Sequence, residues 1–287
     1  MLSNQKGNAI RRILSDLRDI ESSDLSNENG IYYEYNDKNI FNIRFLIIGP
    51  EETPYQNGFF FFDVTFPDDY PFSPPSVKYK TNGYGTRFNP NLYRNGKVCL
   101  SILNTWDGPG WSPCNTISTV MLSILGLVLT KDPIRNEPGF GDCKQLTSQV
   151  YNAIIEHETL RIGVIDMIKR PPYGFKNFKK IIMKHVNKNK DWYLERCKTL
   201  DEKYRNKTLN FSLYNMSIIC NYGKILDDIS EIIEKNSNTS RKKRKIRHNS
   251  SNPNVNACIC KGVLRNGNSC TYKAQPEKEY CRIHDKG

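Results

Sequence analysis

The sequence predicts an α+β fold. Three observations carry that expectation: an amphipathic segment opens the chain, four β-rich segments follow with only turns between them, and apolar-periodic helical patterns fill most of the remainder. Short links between successive strands favour an antiparallel meander, because parallel neighbours need a much longer crossover.

Residues 5–20 supply the first helix. Ile10, Ile13, Leu14, Leu17 and Ile20 recur at three- and four-residue spacing, so they share a face, and Arg11, Arg12, Asp16, Arg18 and Asp19 are expected to face water. Asn29-Gly30 then turns the chain into two strands, Ile31–Tyr35 and Ile40–Ile48, both rich in β-branched and aromatic residues. Pro50, Pro54 and Gly58 mark turns before a third strand at Phe59–Phe66 and a fourth at Ser76–Lys80. Between those two, the prolines of Phe66-Pro67-Asp68-Asp69-Tyr70-Pro71-Phe72-Ser73-Pro74-Pro75 exclude both a helix and a central strand.

Next comes a polar, turn-rich stretch from Arg87 to Leu103. Its Asn-Pro and Asn-Gly pairs fold the chain back twice before Cys99. Such a loop can hold a thiol at the rim of a shallow groove with side-chain amides nearby. A lone cysteine beside apolar residues is, more often, an inert core residue. A second loop covers Asn104–Pro113. Asn115–Thr130 reads as a helix apolar nearly all round, including Leu122 and Leu127, and is expected in the core. Lys131–Gly141 is a Pro/Gly loop. Gln145–Met167 reads as a further helix, with Leu146, Val150, Ile154 and Val164 as its apolar positions. Helical patterns continue at Phe178, Ile181 and Ile182 and again from Ile225 to Ile233. No chemistry is read in that region.

The net charge of +12 is unevenly placed: residues 1–170 carry −2, residues 171–240 carry +5 and residues 241–287 carry +9. The basicity therefore belongs to the tail, and the first part needs no polyanion to explain it. No run of about 18 apolar residues is present, so no membrane span is expected, and the polar start lacks an apolar signal segment. Nine cysteines without a disulfide-like framework fit a reducing compartment, cytoplasm or nucleus.

The tail reads in two parts. Residues 236–257, Asn/Ser-rich and basic, are expected to form a disordered linker. It contains the octamer Arg241-Lys242-Lys243-Arg244-Lys245-Ile246-Arg247-His248, suited to an import receptor or a nucleic acid, or simply a solvated charge run. No aromatic residues interleave with it, which argues against stacking on single strands. Residues 258–287 hold Cys260, Cys270, Cys281 and His284, three thiolates and an imidazole that would complete a structural zinc shell, with Cys258 able to replace Cys260. So small a module has almost no core, and a metal would supply its folding energy. The alternative is an unstructured cysteine-bearing tail.

Taken together, Tyr70-Pro71-Phe72-Ser73-Pro74-Pro75, Asn89-Pro90-Asn91, Asn95-Gly96-Lys97-Val98-Cys99-Leu100 and Trp111-Ser112-Pro113 resemble the ubiquitin-conjugating enzymes over about residues 8–170. The resemblance is closest to the Z-type branch. Arg87–Asn91, Thr105-Trp106-Asp107-Gly108-Pro109, Asn136-Glu137-Pro138-Gly139-Phe140 and His157-Glu158-Thr159 with Arg161 carry that likeness.

The resemblance implies a ubiquitin-conjugating fold over residues 1–170, followed by a helical extension (171–235), the linker and the zinc module. It also implies a thioester relay without a catalytic cofactor. Cys99 would accept ubiquitin or a ubiquitin-like protein from an activating enzyme, then pass it to a substrate lysine or a ligase. A thiolate both attacks and leaves well, so each half-reaction is accessible. Asn91 would donate to the oxyanion or hold the loop in shape. Glu137 would orient or deprotonate the incoming lysine. Asn89 stands where most members carry His, as in the Z-type branch, and Ser101 where many carry Asp. Phe72 with Trp111, Ser112 and Pro113 would face ligases. Arg11 and Arg12 would face the activating enzyme, against the plainer reading of a solvated helix face. The rival to catalysis is a scaffold of the same fold that binds ubiquitin or a ligase. Known scaffolds of this kind lack the cysteine.

Overall fold

The computed structural model describes residues 2–36 and 39–249. Helix α1 (Leu2–Ser22) buries Ala9, Ile13, Leu17 and Ile20. Its faces differ from the expected ones at Leu14 and Asp16, and also at Arg12, which is half-buried. Leu14 is 38% exposed, whereas Asp16 is only 1% exposed. The buried carboxylate is tolerated because its oxygens are filled: Arg12 Nε donates at 2.7 Å, the Ile117 backbone N–H at 3.1 Å, and the Tyr70 hydroxyl donates as well.

Strands β1 (Ile31–Asn36), β2 (Asn39–Ile48), β3 (Phe59–Thr65) and β4 (Ser76–Tyr79) form the expected antiparallel meander in sequence order. Leu46 pairs with Phe61, and Val64 with Val77. Phe59, Phe60, Phe61 and Phe62 are all fully buried. Successive strand residues point to opposite faces, so both faces of β3 are covered. On one, Phe60 meets Tyr55 and Phe88 edge-on, and Phe62 packs on Tyr79. On the other, Phe61 lies 4.7 Å from the Phe175 ring and 5.8 Å from Phe178, while Phe59 meets His185.

Helix α2 (Ile117–Ser123) starts at a Thr116/Thr119 capping box and runs into wide π-type turns over Ile124–Val128. Its burial is one-sided: Leu122 is 39% and Leu127 63% exposed, against the expected all-round core helix. Helix α3 (Gln145–Glu158) also continues in π-type turns, Thr159–Asp166, with Leu146 turned outward.

Beyond residue 170 come α4 (Lys179–Lys188), α5 (Lys190–Tyr204), a hairpin of β5 (Thr208–Phe211) and β6 (Met216–Ile219), and α6 (Tyr222–Asn249). The hairpin was not expected in a helical extension. Nor is residue 170 a boundary, because Met1–Glu234 form one compact unit. The reason is the shared core: Phe175, Phe178, Val186, Tyr193, Phe211 and Tyr222 are buried in the same cluster as the sheet.

The second unit is Lys235–Gly287. Its backbone is helical through Asn249, where a linker without structure was expected. The run is rich in Lys and Arg, which are good helix formers. The side chains of 241–248, residues 250–257, and Cys260, Cys270, Cys281 and His284 lie outside the described residues. Among the described residues no group of three potential metal ligands occurs, and no helix is long and apolar enough to cross a membrane.

Candidate active site

The loop that presents Cys99 is fastened to the sheet and to the end of the π-type turns. Tyr79 N–H donates to Gly96 O at 2.8 Å, docking the Asn95-Gly96 turn on β4. Gly96 has φ +89°, and a Cβ there would lie 2.9 Å from Tyr79 O, so the close approach needs glycine.

Asn89 is fully buried beneath the loop. Its Nδ2 donates to Val128 O at 2.7 Å and to the Tyr55 hydroxyl at 3.2 Å, and its Oδ1 accepts Asn91 N–H at 2.8 Å. Asn136 Nδ2 reaches the same Oδ1 at 3.4 Å and donates to Leu127 O at 2.8 Å. The last carbonyls of a helix have no partner within it. Here two such carbonyls, Leu127 and Val128, accept side-chain amides from the loop and its neighbour. An asparagine at 89 thus has all its donors and acceptors engaged.

Asn91 and Cys99 hold each other. Asn91 Nδ2 donates to Cys99 O at 2.7 Å, and Cys99 N–H donates to Asn91 O at 2.9 Å. The Asn91 amide therefore acts on the shape of the loop. Thr105 clasps the far side of the cysteine: its hydroxyl donates to Val98 O at 2.7 Å and accepts Leu100 N–H at 2.9 Å.

Cys99 itself is 1% exposed. That departs from a thiol on an open rim, so an incoming acyl group has to displace neighbours to reach Sγ.

Glu137 is half-buried on the loop after the π-type turns. Its carboxylate accepts a hydrogen bond from the Tyr214 hydroxyl, at the tip of the β5–β6 hairpin. Burial first, and the adjacent Glu137 carboxylate second, push the Tyr214 phenol far above its ordinary value, so it stays a donor.

The other expected contact residues lie elsewhere, near the start of α2. Phe72 is 72% exposed. Trp111 is tied down, its Nε1 donating to Pro71 O at 2.7 Å and its N–H to Asn104 Oδ1 at 2.8 Å. Arg12 donates to Pro113 O at 2.9 Å and to Asn115 O at 2.7 Å besides Asp16. It staples α1 to the loop, rather than projecting into water as expected. Ser112 Oγ accepts Cys114 N–H at 3.3 Å, and Arg11, exposed, donates to Asn8 Oδ1. The structure thus joins Asn89, Asn91 and the Cys99 backbone in one network and ties Glu137 to the hairpin through Tyr214, while Arg12, Pro113, Trp111 and Pro71 are linked near the start of α2. Tyr55, Thr105 and Asn136 add to the first network and Tyr214 holds Glu137; none was named from the sequence as a site residue, although Thr105 and Asn136 stand in stretches that carry the resemblance.

A cysteine locked into an asparagine-rich loop beside a four-stranded meander defines a class. The family model described as "Ubiquitin-conjugating enzyme" matches residues 12–157, and the chain belongs to that family. Among curated relatives, it is 44% identical over 186 residues to a probable ubiquitin-conjugating enzyme, protein 17, of Caenorhabditis elegans (61% of this chain, 25% of that protein). It is 48% identical over 164 residues to ubiquitin-conjugating enzyme E2 Z of Danio rerio (55% and 48%). To E2 Z of Xenopus tropicalis it is 42% identical over 193 residues (65% and 60%). The chain spans between a quarter and three fifths of the length of these relatives.

Proposed function

We propose that this protein is an active ubiquitin-conjugating enzyme of the Z type. Cys99 takes ubiquitin or a ubiquitin-like protein as a thioester from an activating enzyme and yields it to a substrate lysine or a ligase. The observation that carries this reading is the reciprocal pair of hydrogen bonds between Asn91 and Cys99. It fixes the backbone of the thiol's residue, and the Asn91 amide, which has a second hydrogen, would be the donor to a tetrahedral intermediate. Attack by the Cys99 thiolate forms one thioester as another breaks, and attack by an amine then releases the thiolate.

The scaffold reading has one observation on its side, the burial of Cys99. A charging assay separates the two. The full chain is mixed with ubiquitin, ATP and a panel of activating enzymes, and products are compared with and without reductant. The expected result is a reducible adduct, absent in Cys99→Ala and reductant-resistant in Cys99→Ser. No adduct from folded protein under any pairing transfers the reading to the scaffold.

Four further assignments go with the proposal. Phe72, Trp111, Ser112 and Pro113 would meet ligases, and Arg11 the activating enzyme. Cys260, Cys270, Cys281 and His284 would hold a structural zinc, tested by metal content of the full chain against Cys270→Ser. Residues 241–248 would direct the enzyme to the nucleus or to nucleic acid, tested by localisation after their deletion.

A further inference from the structure

The hairpin beyond the conjugating region touches both walls of the Cys99 site. On one wall, the Tyr214 hydroxyl donates to Glu137. On the other, Arg94 donates to Tyr214 O, and Arg87 N–H meets Met216 Sδ at 3.3 Å. Arg87 in turn donates to Asn89 O at 3.1 Å and Pro90 O at 2.6 Å, and its guanidinium lies over the rings of Tyr93 and Tyr214. Asn215, at φ 49°, closes the turn that brings Tyr214 there. The residue before Glu137 ties the same loop to the backbone of Cys99: Asn136 Nδ2 reaches Asn89 Oδ1, which accepts Asn91 N–H, and Asn91 Nδ2 donates to Cys99 O.

We propose that Tyr214 is a positioning residue for acyl transfer, holding the Glu137 carboxylate at the Cys99 site by a hydrogen bond. The proposal rests on the conjugating-enzyme reading above. In the transfer step the neutral lysine amine attacks the thioester carbonyl carbon. The C–N bond forms, the C–S bond breaks, the proton leaving the nitrogen passes to Glu137, and Cys99 departs as a thiolate. A carboxylate free to rotate meets that proton in only a fraction of its conformers; one fixed by Tyr214 is in place for each attack. Charging is a thiol–thioester exchange with no amine to deprotonate, so it does not need the fixed carboxylate.

The test is single-turnover discharge of the charged full chain to free lysine, for wild type, Tyr214→Phe, Glu137→Gln and the double variant. Leu213→Ala, an exposed neighbour at the same tip, is the control. Tyr214→Phe keeps the ring and the backbone contact to Arg94, and removes one hydrogen bond to a charged group. The expected loss is about tenfold in discharge at saturating lysine. The KM for lysine, the charging rate and the melting temperature are expected to stay near wild type. The double variant should be no slower than Glu137→Gln alone, and Leu213→Ala should match wild type. A merely structural brace would slow charging and discharge together and lower the melting temperature, which would overturn the proposal. So would wild-type discharge by Tyr214→Phe, multiplying effects in the double variant, or a wild-type thioester inert to lysine. A wild type that forms no thioester overturns the functional reading and this proposal with it.

Discussion

Replacing Glu158 with glutamine keeps the shape of one buried side chain and removes its charge. Glu158 is 1% exposed. Its carboxylate accepts both Arg161 Nε, at 2.8 Å, and an Arg161 terminal nitrogen; His157 Nδ1 lies at 2.9 Å and the Thr86 hydroxyl at 2.7 Å. Burial alone would raise its pKa, but these partners outweigh burial and hold it down at about 2, against an ordinary 4.5. A carboxylate depressed in the folded state stabilises the fold fully above its unfolded value, and that stability drains away as pH falls from there toward 2. Linkage puts the contribution at about 3 kcal/mol at neutral pH and about half that at pH 3. Glu158→Gln should therefore be less stable than wild type by about 3 kcal/mol at pH 7, with the gap narrowing on acidification. Urea unfolding followed by tryptophan fluorescence, run on both proteins from pH 7 to 3, measures the difference directly. Titration of every other carboxylate cancels in it. A gap under about 1 kcal/mol at pH 7, or one that does not change with pH, would refute the reasoning. Thr86 leads into the Cys99 loop, so the same variant should also slow charging.

Asn89→Ala leaves Asn91 N–H without its partner and takes one of two donors from Val128 O, which keeps Thr130 N–H, and should cost about 2 kcal/mol in urea unfolding along with most of the charging activity. Brief alkylation of the native protein, read by peptide mapping, should label exposed Cys114 ahead of Cys143. Cys99 and the buried Cys220 should lag. So should Cys197, whose thiol burial and then Glu156 push up to about 12. His185, pulled down to about 4 chiefly by burial and then by Lys188, should show no imidazole titration by NMR between pH 5.5 and 8. Its folded-state contribution is complete above the ordinary histidine range and fades only as pH falls toward 4. A fragment ending at residue 170 should fail to give a cooperative melt, since Phe59 and Phe61 lose the residues that cover them.

The meander and the Cys99 loop were legible because local chemistry decides them. Alternating apolar residues specify strands, and Asn-Pro and Asn-Gly specify turns, without help from distant parts of the chain. The second cover of the sheet was not read, although Phe59-Phe60-Phe61-Phe62 announces it: an antiparallel strand with one wet face alternates, and this one does not. The β5–β6 hairpin also left a trace. Leu209, Phe211, Met216 and Ile218 alternate with polar positions on either side of an Asn-containing turn, but the flanking helical patterns masked it. Asp16 defeats periodicity altogether. It sits at a helix position that packing buries, and besides the local Arg12 it takes the distant Tyr70 and Ile117 to explain why a charge is allowed there. The role of Asn89 likewise depends on carbonyls at Leu127 and Val128, freed by turns wider than a regular helix, and no local pattern in the loop marks them.

The hairpin's reach back to the loop also sets an order in time. Arg94 and Tyr214 are 120 residues apart in the chain. At roughly 5–20 residues added per second during synthesis, the cysteine loop emerges on the order of 6–24 seconds before the tyrosine that braces it. During that interval a nascent chain carries the Cys99 loop without the hairpin. A chain cut short before the hairpin therefore carries the Cys99 loop without the contacts that Arg94 and Glu137 make to Tyr214.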